Sequence, residues 1–254
     1  MLSDKIEYIF LGKNPTWGEW LDDLTFQTYP NTCPDHTVQF STLKVFTLKL
    51  SKNSRLTLLD KSSELYCSLE EEAVLFHQGL PKRVGSFCLE QNARLVHRNI
   101  NKNAVFLSSI NVILNQPKAK VDWQDGVILK QNQVFDLSIK IEHVAPQTHS
   151  NCLLKSIIKD KGCLKIFCDI FVQKQAKFCT VHQRNLNHIL SSEGQVTVLP
   201  NLHIFNRNIE ASHGTATQPI PKDVLFYLQS RGLTKLKAEE VYLDSFFNEI
   251  CTYE

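Results

Sequence analysis

Alternation of apolar and polar residues is the feature that most constrains the fold of this chain. Every second residue from 164 to 172 is apolar, which places on one face Leu164, Ile166, Cys168, Ile170 and Val172. Lys165 and Asp169 fall on the other face. A period of two is that of a β-strand, whose successive side chains point to opposite faces. Weaker copies recur from about residue 37 to 210 with no helical pattern between them, so the sequence predicts an all-β core.

Turn chemistry bears on how these strands are connected. The chain has only nine glycines and nine prolines, no Asn-Gly pair, and one Asp-Gly pair, Asp125-Gly126. A meander of hairpins needs more such turns, whereas parallel coils turn their corners with Asn, Ser, Lys and Asp. The pattern favours a β-solenoid, although no fixed repeat period is visible and a sandwich or a barrel stays open.

A different pattern begins at Pro219. Pro221 is suited to a helix start, Gly232 to a helix stop, and Thr234 to the cap of a second helix. The expected organisation is an N-terminal extension at 1–36, a β core at 37–218, and a C-terminal helical segment at 219–254. Within the extension, Trp17 and Trp20 together with Leu21 and Leu24 suggest a short amphipathic helix after Pro15.

Composition excludes several classes of function. The net charge is +2, from 28 basic and 26 acidic residues, and gives no reason to expect nucleic acid or an anionic membrane as a partner. No apolar run approaches the roughly 20 residues of a membrane span. The N-terminus does not look like a secretory signal, and eight unevenly spaced cysteines are typical of thiols in a reducing compartment. These observations predict a cytoplasmic protein.

Common catalytic motifs are absent: there is no P-loop, no dinucleotide-binding glycine pattern, no His-Glu-x-x-His and no Gly-x-Ser-x-Gly. The remaining candidates are a thiol and an imidazole. Cys179 has Lys177, His182 and His188 nearby in sequence, and basic neighbours favour the thiolate that binds metals. His213 lies between small polar residues at a strand-to-helix junction, where its imidazole is accessible to a metal or a proton.

Three blocks in series resemble the SufD proteins of iron–sulfur cluster assembly. An acidic-His-x-x-Pro element at 142–146 precedes Ser, Leu and Lys at 150–158, and a second block runs from 167 to 204. The third block joins Ser-His-Gly at 212–214 to a Leu-Phe-Tyr-Leu…Ser-Arg-Gly helix at 225–232. The likeness is good from about residue 135 to the end and weaker from 37 to 134.

This resemblance implies a right-handed parallel β-helix with a small C-terminal α-helical segment. It implies a non-catalytic subunit that pairs through the β-helix with a SufB-like subunit, or with itself, and binds a SufC-type ABC ATPase through the helices. The helical residues expected at that contact are Leu225, Phe226, Tyr227, Leu228, Arg231 and Phe247. No tightly bound cofactor is implied, only a transient iron–sulfur cluster at a subunit interface, to which His213 and, with less support, Cys179 would contribute.

Departures from the family pattern leave alternatives open. Ala211 stands where SufD proteins usually have a cysteine, the chain is short, and most of the family's N-terminal helical region is expected to be missing. The chain could instead be a structural interaction module of the same complex that has lost its metal chemistry. A solenoid enzyme acting on carbohydrate is disfavoured, because no paired carboxylates alternate along a strand.

Overall fold

The computed structural model describes residues 6–9, 13–40, 44–102 and 106–251. They form eighteen strands and two helices. In chain order these are β1 (Ile6–Ile9), β2 (Gly18–Trp20), β3 (Thr25–Thr28), β4 (Thr37–Phe40), β5 (Val45–Leu50), β6 (Arg55–Leu59), β7 (Glu64–Leu69), β8 (Val74–Gln78), β9 (Val84–Leu89), β10 (Arg94–Asn101), β11 (Phe106–Leu114), β12 (Lys120–Leu129), β13 (Val134–His143), β14 (His149–Ile158), β15 (Cys163–Val172), β16 (Cys179–Ile189), β17 (Gln195–Ile204), β18 (Ile209–Gln218), α1 (Lys222–Ser230) and α2 (Lys235–Cys251).

The strands build two nine-stranded sheets that face each other across one core. Sheet A has the order β1-β4-β6-β8-β10-β12-β14-β16-β18, and sheet B has the order β17-β15-β13-β11-β9-β7-β5-β3-β2. From β3 onwards the chain alternates between the sheets, and each strand pairs in parallel with the strand one coil away. The chain is therefore a parallel β-helix, and the predicted fold class is confirmed.

Coil length explains why no repeat is visible in the sequence. The register places Arg55 beside Val74, a step of 19 residues, whereas it places His149 beside Thr180, a step of 31 residues. The added residues lengthen the strands, from five in β6 to eleven in β16. A solenoid whose coils grow along its axis has no constant period, although each coil obeys the same pairing rule.

Corners are made by polar residues in the left-handed conformation. Among the described residues nine non-glycine residues have φ between 51° and 63°, and all but the last are polar: Asn31, Asn53, Glu72, Asn92, Lys118, Gln131, Gln147, Asp160 and Phe178. Their amides connect consecutive coils: Asn92 N–H donates to the carbonyl of Pro117 at 3.1 Å, and Gln147 N–H donates to that of Lys177 at 2.8 Å. Such turns replace the Gly-rich hairpins that the composition lacks.

Alternation within the strands fills the core. In β15 the buried positions are those predicted to share a face, among them Leu164, Ile166 and Cys168, and they face the inner sides of sheet A strands. Parallel in-register pairing stacks equivalent residues from coil to coil, as in Ile110↔Ile139. Buried apolar ladders of this kind supply most of the favourable free energy of a solenoid.

The prediction of a helix near residues 15–24 is wrong. Gly18–Trp20 and Thr25–Thr28 are antiparallel strands at the edge of sheet B, and β1 pairs with β4 in sheet A. Aromatic packing accounts for the difference, because Trp20 makes edge-to-face contacts with Phe26 and Phe40 at 5.4 and 5.7 Å between ring centroids. Residues within 1–36 thus continue both sheets.

Both C-terminal helices occur where the sequence predicts them. α1 follows Pro221 and ends before Gly232, whose φ of 92° suits glycine, and the Thr234 hydroxyl accepts the amide of Lys237 at 3.3 Å. None of the helices among the described residues is both long and apolar enough to cross a membrane.

Candidate functional site

His213 lies in β18, the last strand of sheet A. The register pairs it with Gln183, and Thr215 with Asn185, in the preceding coil. Paired residues of a parallel ladder point to the same side, and both Gln183 and Asn185 are completely buried in the interior. His213 therefore belongs to the inner face of the solenoid, and it is exposed because no described element stacks on β18.

Polar side chains occupy the interior just below His213. None of the four side-chain polar atoms of Gln183 and Asn185 finds a hydrogen-bond partner within the described parts of the chain. In the preceding coil the residues paired with Gln183 and Asn185 are Cys152 and Leu154. Buried amides without partners cost roughly 1–3 kcal/mol each, so this end of the core favours contact with further polar groups.

Cys179 occupies a different part of the last coils. It is 1 % exposed, and its Sγ lies 3.1 Å from Thr148 Oγ1 and 3.3 Å from the carbonyl oxygen of Ala176. Its register partner is Ile209, four positions before His213 and therefore about 13 Å along the strand. The structure does not bring the two predicted ligands together, and no group of three or more His, Cys, Asp or Glu side chains within the described ranges is arranged to hold a metal ion.

The predicted helical contact residues divide into two sets. Phe226 and Tyr227 are 73 % and 56 % exposed, and no residue of α1 is buried. Leu225 and Leu228 are half-buried, and Arg231 lies over the Tyr227 ring at 5.3 Å. These residues present an apolar face outward at the end of the chain.

Phe247 differs from that set, because it is only 5 % exposed and packs with Ile250 against Leu153 and Ile157 on the outer face of sheet A. It attaches α2 to the solenoid and is not presented to a partner. Gly126 lies directly beneath it: an added Cβ there would be 2.9 Å from two Phe247 ring atoms.

Ion pairs complete the attachment of α2. Lys155 Nζ donates to the carbonyl of Phe246 at 2.8 Å and lies 2.8 Å from a carboxylate oxygen of Glu249, which also pairs with Arg184. Burial raises the pKa of Glu249, but hydrogen bonds from Lys155 and Arg184 outweigh burial and leave this pKa below its usual value.

Comparison with known proteins assigns the family. The model of the "SUF system FeS cluster assembly, SufBD core domain" matches residues 39–246, which is most of the chain and includes every coil with long strands. The chain belongs to the SufBD family. The predicted resemblance is thereby confirmed at the level of the family.

Curated relatives of this SufBD chain share modest identity with it. An iron–sulfur cluster assembly SufBD family protein of Synechocystis is 28% identical over 197 residues, covering 74% of this chain and 43% of the relative. The Staphylococcus saprophyticus family protein is 31% identical over 136 residues, covering 54% and 29%. Escherichia coli SufD is 28% identical over 155 residues, covering 61% and 36%. The chain spans less than half the length of these relatives.

A buried polar cluster in the SufBD core was missed by sequence reasoning. His77 Nδ1 and His97 Nδ1 are 2.8 Å apart, and His77 Nε2 is 3.2 Å from Asp60 Oδ2. His97 Nε2 lies 3.2 Å from Asp125 Oδ2, which accepts the indole N–H of Trp123 at 2.7 Å. Because two imidazole nitrogens cannot approach to 2.8 Å without a hydrogen between them, one of the rings donates from Nδ1.

Electrostatics of this cluster follow from its burial. Burial lowers the pKa of His97, and the neighbouring Asp125 opposes that shift. Burial raises the pKa of Asp60, but hydrogen bonds from His77 and Ser62 more than offset it, so the pKa lies below its usual value. The 20-residue spacing of His77 and His97 equals the length of their coil, and that spacing is the only sequence signal that joins them.

Proposed function

We propose that this chain is a SufD-like, non-catalytic subunit of an iron–sulfur cluster assembly complex. The observation that carries the proposal is the open terminal coil, in which β17 and β18 end the two sheets and place His213 on an inner face that no other described strand covers. An exposed strand edge is a template for pairing with another chain. The name of Escherichia coli SufD, among the relatives, supports this reading.

The partner for the open coil is a SufB-like subunit or a second copy of this chain. Apolar side chains support an interface beside the edge, since Leu199, Ile204 and Phe205 of β17 and its following turn are 47 %, 41 % and 57 % exposed. A transient iron–sulfur cluster would be assembled between the subunits, with His213 as the ligand from this side.

The helices are proposed to bind a SufC-type ABC ATPase. The exposed pair Phe226 and Tyr227 provides the contact, and α2 keeps α1 attached to the solenoid through Phe247. Changing both exposed rings, in Phe226→Ser/Tyr227→Ser, should abolish co-purification of a co-expressed ATPase. Leu107→Ser, a similarly exposed apolar side chain in β11 away from the helices and from the β17 surface, should leave ATPase binding unchanged. Full ATPase binding by the helix variant would disprove the assigned role.

The role of His213 is tested in the assembled complex. His213→Ala should lower the yield of cluster in an anaerobic reconstitution without changing the urea midpoint, because the side chain is exposed in the single chain. Gln173→Ala, a change of a polar side chain in the turn that follows β15 of the opposite sheet, serves as the control.

A structural interaction module without metal chemistry is the second candidate. It is favoured by Ala211, two residues before His213 on the same inner face, and by the separation of Cys179 from His213. The same reconstitution decides between the candidates: an unchanged cluster yield with His213→Ala, together with intact pairing, would assign the module.

A further inference from the structure

A basic groove of about 860 Å³ runs along the outer face of sheet A beside one corner of the solenoid. Arg94, Lys120 and His149 are register partners in β10, β12 and β14, so their side chains stack at the strand spacing of about 4.8 Å. Lys118 adds a further cation at the corner, and His182 closes the groove in β16.

The cations of this groove have no ion-pair partner within the described parts of the chain. Arg94, Lys118 and Lys120 have no carboxylate within 4.0 Å among the residues that the structure describes. Of the described residues that line the groove, Asp122 alone is acidic, and it is already engaged by Arg98 and by the Asn151 amide at 2.9 Å.

Beyond the groove the positive charge continues past Phe178, whereas at the other end Glu72 lies at the corner two residues before Val74. Lys174 and Lys177 line an adjoining hollow with Pro146. Glu210 occupies the same outer row as His149 but lies two strands away. With a net charge of only +2 for the whole chain, this concentration of cations is a local feature.

Phe178 sits between the groove and this hollow. Its ring is 66 % exposed, and its φ of 59° is a conformation that bulky residues rarely adopt. The equivalent corners of earlier coils carry short or flexible polar residues such as Asn53, Asn92 and Gln147. Internal packing does not explain an aromatic side chain here, whereas a contact with another molecule does.

We propose that this surface binds an acidic, extended peptide segment of a partner protein. Carboxylates of the segment pair with Arg94, Lys118 and Lys120, and an apolar side chain within the segment packs on Phe178. The distance from β10 to β16 is three strand spacings, about 14 Å, which four to five extended residues span. The groove ends at His182 of β16, which contacts Ser212 of β18 at 2.8 Å. The proposal does not depend on the assigned role in cluster assembly, because its cations Arg94, Lys118 and Lys120 lie in or just before β10 and β12, at least three strands from β18.

The probe is a fluorescein-labelled ten-residue peptide of alternating Asp and Glu with one central Phe, measured by anisotropy at 50 mM salt. Arg94→Gln/Lys118→Gln/Lys120→Gln should weaken binding by about tenfold or more, the effect of losing three exposed charge contacts. The matched control Lys49→Gln/Lys165→Gln/Lys235→Gln removes three exposed lysines elsewhere and should change the affinity less than about twofold. Phe178→Asn, made in a chain that keeps Arg94, Lys118 and Lys120, should weaken binding of the peptide by several-fold.

Three results would overturn the proposal. The first is no binding of the peptide to the parent chain at 50 mM salt, and the second is equal weakening by the groove and control variants. The third is tighter binding of a twelve-residue oligouridylate than of the peptide, which would assign the groove to nucleic acid. Urea midpoints verify that each variant folds. If the triple variant does not fold, the single change Lys118→Gln, at an exposed corner, is used for the test instead.

Discussion

Replacement of Gly126 by alanine tests how α2 is attached to the solenoid. The new Cβ would lie 2.9 Å from Phe247 Cδ1 and Cε1 and 3.1 Å from Ile100 Cγ1, which is closer than packed carbon atoms approach. Such overpacking lowers the free energy of unfolding by about 1–3 kcal/mol. Alanine also restricts the unfolded chain more than glycine does, which raises the free energy of unfolding by about 0.5–1 kcal/mol. Gly126→Ala should therefore lower the free energy of unfolding by about 1–2 kcal/mol.

The assay is urea unfolding followed by far-ultraviolet circular dichroism, with proteolysis of the 221–251 segment as a local readout. Gly214→Ala is the matched control, because a Cβ at Gly214 meets nothing within 4 Å, and it should leave stability unchanged or raise it by up to about 0.5 kcal/mol. Phe247→Ala should abolish most of the penalty of Gly126→Ala, giving a coupling of at least about 1 kcal/mol in a double-mutant cycle.

Equal effects of the two glycine changes, or strict additivity of Gly126→Ala and Phe247→Ala, would refute the contact. Either result would mean that the helix is held by something other than the fit of the Phe247 ring over Gly126. A faster proteolysis of residues 221–251 in Gly126→Ala, with an unchanged global midpoint, would instead locate the penalty in local release of the helices, as expected if they open before the solenoid does.

Three further changes have predictable outcomes. Burial lowers the pKa of His143 to about 3, with a smaller contribution from His149. Because this histidine binds a proton near pH 6.5 in the unfolded chain, the free energy of unfolding should fall by roughly 3 kcal/mol as the pH drops from 6.5 to 4. In urea titrations His143→Asn should show a smaller dependence of stability on pH. Phe178→Asn should raise the free energy of unfolding by about 1 kcal/mol through relief of the left-handed conformation, and an unchanged or lower urea midpoint would contradict this. Gln183→Met should stabilise the single chain by about 1–2 kcal/mol, because it removes two polar atoms that lack partners, and a destabilised variant would show that those atoms are satisfied.

Local patterns predicted the elements of this fold well. The alternation at 164–172 became β15, and Pro221, Gly232 and Thr234 delimit the two helices as expected. These signals are properties of neighbouring residues, and the period of a strand or the chemistry of a cap does not depend on the rest of the chain.

Features that depend on the stacking of coils were not predictable in the same way. Trp17, in the turn before β2, and Trp20, in β2, have helical spacing but both pack against Phe26 of β3, since the first coils need aromatic side chains to fill their interior. The contact between His77 and His97 requires the coil length to be known, and coils of 19 to 32 residues conceal it. The sequence predicted His213 at a junction between a strand and a helix, and the structure places it within β18, whereas its distance from Cys179 became visible only with the register.

The inner rows that lead to His213 explain why the end of this solenoid suits a partner. One row reads His77, His97, Trp123, Cys152, Gln183 and His213 from coil to coil, and the row beside it reads Asp125, Leu154, Asn185 and Thr215. An interior that is closed by its own chain gains most from apolar side chains, because buried polar groups without partners are costly. The two rows hold Cys152 and Leu154 in β14 and turn polar again in β16, one coil before the exposed strand. There Gln183 and Asn185 are completely buried and lack hydrogen-bond partners among the described residues. Such a placement lowers the stability of the single chain and gains free energy only when polar groups of another molecule reach the terminal coil.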